Sequence, residues 1–176
     1  MKTSIALIGF MGTGKTAVGR VLARELDKEF IELDAIIEKK TGKPIPDIFR
    51  QDGEIRFREL EIEAARDVAL KKNAVIACGG GIILNTINID RLKKESVIIC
   101  LTASPAVILK RTSGDKDSRP LLAVTDREQQ IKMLLKFRRP FYTRAADITI
   151  NTSRLNIASV ADKIMELLKN RESYDW

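Results

Sequence analysis

Five short apolar runs punctuate the chain, and amphipathic stretches lie between them. The runs at Ser4–Gly9, Glu29–Leu33, Ala74–Cys78, Ser96–Leu101 and Asp147–Asn151 have the length and apolar character of strands in a sheet. Between the runs, apolar residues recur at helical spacing. Val18, Val21, Leu22 and Leu26 share one face, and Phe57, Leu60, Ala64 and Val68 share another after Gly53. Ile131, Leu134 and Leu135 begin a third face, and Ile157, Val160, Ala161, Ile164 and Leu168 mark the last helix. Strands alternating with helices predict an α/β fold: a three-layer α/β/α arrangement around a five-stranded parallel sheet. No internal repeat or low-complexity tract is visible.

Three segments exceed what such a scaffold needs. Residues 35–63 carry the turn signals Gly42, Pro44, Pro46 and Gly53 between the second and third strands. Gly79, Gly80 and Gly81 follow the third strand directly. Residues 112–125 are polar and include Gly114, Asp115, Lys116, Asp117, Ser118, Arg119 and Pro120. Loops of this length in a compact domain are usually functional or mobile. In an open parallel sheet, ligands bind beyond the C-terminal strand ends, where these segments can meet. The 176 residues are expected to form one domain, with residues 169–176 as a frayed tail.

The sharpest local signal is Gly9–Thr16, G-F-M-G-T-G-K-T, which fits G-x-x-x-x-G-K-[ST] between an apolar run and a helical segment. Such a loop wraps backbone N–H groups around phosphate, and the helix that follows adds the positive end of its dipole. Gly12, Thr13, Gly14, Lys15, Thr16 and Ala17 are therefore expected to hold a nucleoside triphosphate. Lys15 brings a charge to the terminal phosphates, and Thr16 offers a hydroxyl to Mg²⁺. The loop identifies the triphosphate and leaves its use open.

Composition narrows the field. The apolar share is 44% and the net charge +7, from 31 basic against 24 acidic residues. That sign suits nucleic acid or small anions such as ATP. The basic residues are spread out, with no Lys/Arg block interleaved with aromatics, so small anions are favoured and no nucleic-acid partner is expected. The chain has no histidine, and its two cysteines, Cys78 and Cys100, each close an apolar run. Imidazole chemistry and a zinc site are thereby excluded. The cysteines read as buried free thiols in a reducing compartment. The apolar start is too short for a signal peptide and leads straight into the phosphate loop, and no run reaches membrane-spanning length. A soluble cytoplasmic protein without membrane partners is expected. The N-K-x-D sequence of a guanine reader is also missing.

Four blocks together resemble the shikimate kinase family, small phosphate-loop kinases of the nucleoside-monophosphate-kinase structural type. They are GFMGTGKTAVGRVL at 9–22, GKPIPDIFRQDGEIRFRELE at 42–61, the glycine triplet 79–81 with Asn88 and Leu92 after it, and RPLL at 119–122 followed by RRPFY at 138–142. The resemblance covers about residues 2–168. It implies transfer of the ATP γ-phosphate, with Mg²⁺, to the 3-hydroxyl of shikimate in aromatic amino-acid biosynthesis.

It further implies that Asp34 binds the acceptor hydroxyls, that Arg58 and Arg138 hold its carboxylate, and that Gly79, Gly80 and Gly81 line its site. On the residues alone, Asp34 reads nearly as well as an N-cap for a helix starting at Ala35. Arg58 also reads as a helix-surface ion pair with Glu54 or Glu61. Residues 112–125 become a lid bringing Arg119 to the transferring phosphate, while residues 35–63 become the acceptor-binding segment. Arg111 and Arg154 are candidates for stacking on adenine. One departure concerns Mg²⁺: the family commonly has D-x-D after the second strand, and here Glu32-Leu33-Asp34 puts glutamate at the metal-side position. A monomer is expected. Rival readings are a kinase of another small acceptor, such as gluconate or a nucleoside monophosphate, and a nucleotide switch or nucleic-acid-binding module.

Overall fold

The computed structural model describes residues 1–114, 120–171 and Tyr174. Among them, five parallel strands run in the order β2-β3-β1-β4-β5: β1 Ser4–Gly9, β2 Glu29–Glu32, β3 Ala74–Ala77, β4 Ser96–Thr102 and β5 Ile148–Asn151. The chain places β2 at one edge, returns with β3 between it and β1, and then adds β4 and β5 on the other side, so β1 and its phosphate loop sit centrally. The fully buried strands β1 and β3 are continuous apolar runs apart from Ser4 and Gly9, as a sheet covered on both faces requires. The edge strands β2 and β5 are less covered, with one buried residue each, Ile31 and Ile150.

Strand geometry sends alternate side chains to opposite faces. Ile5 and Leu7 enter one core with Val75, Val97 and Ile99, beneath helices α1 (Lys15–Glu25) and α8 (Ile157–Lys169). Ala6 and Ile8 enter the other with Ile76 and Ile98. That second core is closed by α4 (Gly53–Val68), α5 (Thr86–Leu92) and α7 (Arg127–Ala145), through residues such as Leu60, Ala64, Leu92 and Tyr142. The short helices α2 (Leu33–Thr41) and α3 (Ile45–Gln51) precede α4 and account for the turn-rich segment 35–63. A third small cluster, Phe10, Ile108, Leu122 and Ile131, seats α6 (Pro105–Thr112) beside the phosphate loop.

Several sequence expectations need correction. Asp34 is not an N-cap: α2 begins at Leu33 with Glu32 at the cap position, and Asp34 lies inside its first turn. Thr112, expected to open the lid, is a buried residue ending α6, and Pro120–Leu122 form a 3₁₀ turn whose Leu122 is buried. The lid residues 115–119, Arg119 included, lie outside the described residues. The tail does not simply fray. Tyr174 is 4% exposed, packs with Ile5 and Leu168 in one core, and pairs with Lys2 in a parallel bridge. The Lys28 ammonium lies 5.4 Å from its ring centroid.

Removing that ring leaves a hole in the core beneath α1 and α8. Tyr174→Ala is expected to lower unfolding free energy by about 3 kcal/mol. Urea denaturation checks this; a midpoint equal to that of the wild type would show that the tail adds nothing.

Candidate active site

Parallel pairing delivers the ends of β1, β2 and β3 to one edge of the sheet, where they border a cleft of about 560 Å³. One wall is the phosphate loop with Lys15 and Thr16; another is built from residues 38–58, including Ile45, Phe49 and Arg58. The glycines 79–81, Arg138, Arg111 and Leu121 complete it. The structure thus brings together Gly12, Gly14, Lys15, Thr16, Ala17, Glu32, Asp34, Arg58, Gly79, Gly80, Gly81, Arg111 and Arg138.

At the loop, Gly14 occupies the N-cap of α1 with φ 98°, a conformation that favours glycine. No side chain caps this helix start, so its N–H groups face the cleft mouth as an anion site. Lys15 Nζ donates to the carbonyls of Gly9 and Phe10 at 2.9 and 3.0 Å, which lays the ammonium across the loop. Thr13, 1% exposed, donates its hydroxyl to Phe10 O at 2.7 Å and braces the turn from within. Thr16 Oγ1 donates to Glu32 Oε1 at 2.6 Å, and Arg20 holds Glu32 Oε2 at 3.3 Å while its guanidinium stacks over Phe30.

Two carboxylates converge on Gly79. A β-carbon there would lie 2.7 Å from Glu61 Oε1 and 2.9 Å from Asp34 Oδ1, so glycine leaves both carboxylates where they stand and a larger residue would displace them. Those two oxygens are buried and lack a hydrogen-bond partner. Burial pushes the Asp34 carboxyl above its usual range, with the Lys15 ammonium opposing it. Burial likewise pushes Glu61 up to about 7, against the pull of Arg58. Glu61 is fully buried and holds Arg58 Nη1 at 2.9 Å, while Glu54 holds Arg58 Nη2 at 2.8 Å. Both ion pairs foreseen for Arg58 therefore exist, and they aim its guanidinium at Gly81, where a β-carbon would collide with it.

Arg138 reaches the same place from α7. It is 2% exposed, lies over the Phe10 ring at 5.7 Å, and donates to Gly80 O at 3.4 Å. Tyr142, one helical turn later, donates to the same carbonyl at 2.5 Å. Arg139 faces solvent, as its place beside the inward Arg138 requires. The helix runs on through Pro140, between Arg138 and Tyr142.

On the far side, Arg111 donates to Gly12 O at 3.2 Å and to Thr152 Oγ1 and O at 3.0 and 2.9 Å. Arg154 is exposed and does not line the cleft. Glu61, Tyr142, Phe10 and Thr152 are site neighbours absent from the sequence-based site set. The i+3 spacing from Arg58 was a usable signal for Glu61, and R-x-P-x-Y for Tyr142. Nothing distinguished Thr152 from any other polar loop residue.

A triphosphate loop that shares its cleft with a buried carboxylate and two arginines defines a class: a small-molecule kinase built on the phosphate-loop fold. Comparison with known proteins narrows it. The family model described as shikimate kinase matches residues 11–169. The shikimate kinase of Thermodesulfovibrio yellowstonii is 47% identical over 163 residues, covering 93% of each chain. That of Pelotomaculum thermopropionicum is 48% identical, covering 94% of this chain and 95% of the relative. A solved shikimate kinase from Acinetobacter baumannii in complex with shikimate superimposes with a TM-score of 0.93 at 40% identity, covering 98% of this chain and 96% of that one. This chain belongs to the shikimate kinase family.

Two outcomes follow from the carboxylate pair. Gly79 has no left-handed backbone, so Gly79→Ala acts purely by crowding Asp34 and Glu61. Turnover is expected to fall about 100-fold with ADP affinity near wild type, since displacements near 1 Å at a reacting centre cost that much; steady-state kinetics with calorimetry checks both. The second concerns pH. Glu61 titrates near 7 when folded, against an ordinary value near 4.5, so the native state binds its proton more tightly. Its contribution to stability is therefore full below pH 4.5 and is lost as pH rises toward and through 7. The melting-temperature advantage of wild type over Glu61→Gln is expected to shrink between pH 5.5 and pH 8, as read by scanning fluorimetry.

Proposed function

We propose that this chain transfers the γ-phosphate of ATP to the 3-hydroxyl of shikimate, giving ADP and shikimate 3-phosphate, with the cleft as the place of transfer. The observation that carries the reading is that Asp34, Arg58 and Arg138 border the same cleft as Lys15 and Thr16. ATP lies with its phosphates on Gly12–Ala17. Shikimate lies against the glycines 79–81, its carboxylate taken by the planar guanidinium groups of Arg58 and Arg138, which match a carboxylate bidentately. Glu61 and Glu54 act through Arg58, holding it in place.

Phosphoryl transfer asks for alignment and charge neutralisation. Lys15 leaves its carbonyl contacts for the β- and γ-phosphates, and Arg119 meets the transferring group from the other side, the role the family resemblance implies. Asp34 orients the attacking hydroxyl and accepts its proton as the new O–P bond forms and the bond to ADP breaks. Burial raises the basicity of this carboxylate, which suits it to the task. The proton leaves with product release. Apolar walls from Ile45, Phe49 and Phe57 limit water, which competes with the acceptor.

Mg²⁺ fits the donor set beside the loop. The Thr16 hydroxyl and the Glu32 carboxylate are hard oxygen donors already in contact, and Mg²⁺ favours one or two such groups plus substrate phosphates and water. Among the described residues, no group of three or more acidic, histidine or cysteine side chains is arranged to hold a metal ion. Thr16 and Glu32 would hold it, Glu32 directly or through a bound water. The ion supplies neutralisation of the phosphate oxygens. Arg111 contributes to the nucleotide side, and Arg154 is within the same loop region as Thr152.

We further assign the activity to a single-domain monomer in the cytoplasm. The two free, buried thiols support a reducing compartment, and no described helix is long and apolar enough to cross a membrane. An ADP-release assay across shikimate, quinate, gluconate and nucleoside monophosphates tests the acceptor: turnover on shikimate is expected, and turnover confined to a nucleotide overturns the reading. Asp34→Asn is expected to lower shikimate turnover about 100-fold or more while leaving ADP affinity near wild type.

A further inference from the structure

Beside the nucleotide loop lies a buried hydroxyl that the reaction above does not use. Thr152 follows β5 and is 2% exposed. Its backbone N–H donates to Thr102 O at 2.8 Å, which ties it to the end of β4. Its Oγ1 lies 3.1 Å from the carbonyl oxygens of both Thr13 and Thr102, and accepts from Arg111 Nη1 at 3.0 Å. With Arg111 occupying a lone pair, the single hydroxyl proton is directed to the carbonyls. Arg111 also takes Gly12 O. Two successive carbonyls of the phosphate loop are thus held from one side, Thr13 O by the buried Thr152 and Gly12 O by Arg111.

Planarity turns this into a statement about the phosphate. In a trans peptide the C=O of one residue and the N–H of the next point in opposite directions. Holding Thr13 O therefore fixes the direction of the Gly14 N–H, the donor that opens α1 toward the cleft. A loop that wraps phosphate with backbone N–H groups depends on such peptide orientations. The loop lacks regular secondary structure at Met11–Gly14, so they must be set from outside.

We propose that Thr152 is a positioning residue for nucleotide binding: its hydroxyl, seated by Arg111, anchors the Thr13 carbonyl and so aims the Gly14 N–H at the bound phosphate. The proposal rests on the assignment of Gly12–Ala17 to the nucleotide. It sets apart an effect on ATP from one on the acceptor, since Thr152 lies beyond the phosphate loop from Arg58 and Arg138.

Calorimetric titration of ADP, and separately of shikimate, into wild type, Thr152→Val and Thr152→Ser tests it. Valine keeps the shape and loses the hydroxyl; serine keeps the hydroxyl. Valine is expected to weaken ADP binding about tenfold, the scale of one lost buried hydrogen bond, and to raise the KM for ATP more than it lowers kcat. Shikimate affinity stays within about twofold, and serine restores ADP binding to within about threefold of wild type. Equal ADP affinity in the valine variant overturns the proposal. So does a serine variant as weak as valine, which would assign the effect to methyl packing, or a parallel loss of shikimate binding, which would mean general damage. Thr152→Ala carries the same expectations if valine does not fold. Wild type failing to bind ADP would instead strike the nucleotide assignment itself.

Discussion

Backbone pairing in the sheet sets where every other part of the site can be. Glu32 is opposite Ala77, Ala77 opposite Leu7, and Leu7 opposite Ile99 across four parallel strands. Parallel strands all point the same way, so the residues that follow them emerge at one edge. Glu32 at the end of β2, Asp34 just past it, Gly79 after β3 and the phosphate loop after β1 meet there for that reason. A slip of one residue in β2 would exchange the faces of Ile31 and Glu32. It would bury a carboxylate in the core and remove the partner of Thr16. The apolar residues that pin the register lie far from the chemistry in role, yet they fix its geometry.

The acceptor end of the cleft is built against local stability. Asp34 Oδ1, Glu61 Oε1 and Arg138 Nε are buried polar atoms without a hydrogen-bond partner. Each such atom costs about 1–3 kcal/mol. Arg58 offsets part of this by pairing with Glu61 and Glu54, and Gly79 and Gly81 remove the β-carbons that would force the charges apart. Helix α7 adds Pro140, a residue that removes a helical hydrogen bond, between the two side chains that reach Gly80. Departures from local rules thus gather around three glycines, as they do elsewhere in proteins where binding opposes stability, although Ser96 and Arg127 carry buried unpaired atoms away from the cleft.

Much of this was legible in the residues. The strands are apolar runs that periodicity separates cleanly from helices, and their ends differ from expectation by a residue at most: β2 stops at Glu32, not Leu33, because α2 begins at once. The phosphate loop, the glycine triplet and Arg138 were legible because their chemistry needs rare residues at fixed spacing. Helix α6 was harder. Its Ser104 cap and Pro105 start are good signals, but Ala-Val-Ile-Leu in its middle lacks a polar alternation. Asp34 was ambiguous because a carboxylate after a strand suits a cap as well as a ligand. Tyr174 was missed because one aromatic in a polar tail carries no period. Thr152 was invisible because its partners are two backbone carbonyls and an arginine 41 residues away, and any nearby hydroxyl would read alike.

The two thiols have a use that follows from where the sheet puts them. Cys78 ends the run after β3 at the floor of the cleft, 3% exposed, and Cys100 lies within β4, 1% exposed. Burial raises both thiol pKa values, Cys100 to about 11, so the reactive thiolate is scarce as well as hidden. These are the chain's only two cysteines. Alkylation at either one requires the central sheet to open, so labelling rates measure breathing of the strands themselves. Because Cys78 sits under the acceptor glycines and Cys100 beside β1, the pair can tell whether a ligand quiets one half of the sheet or both.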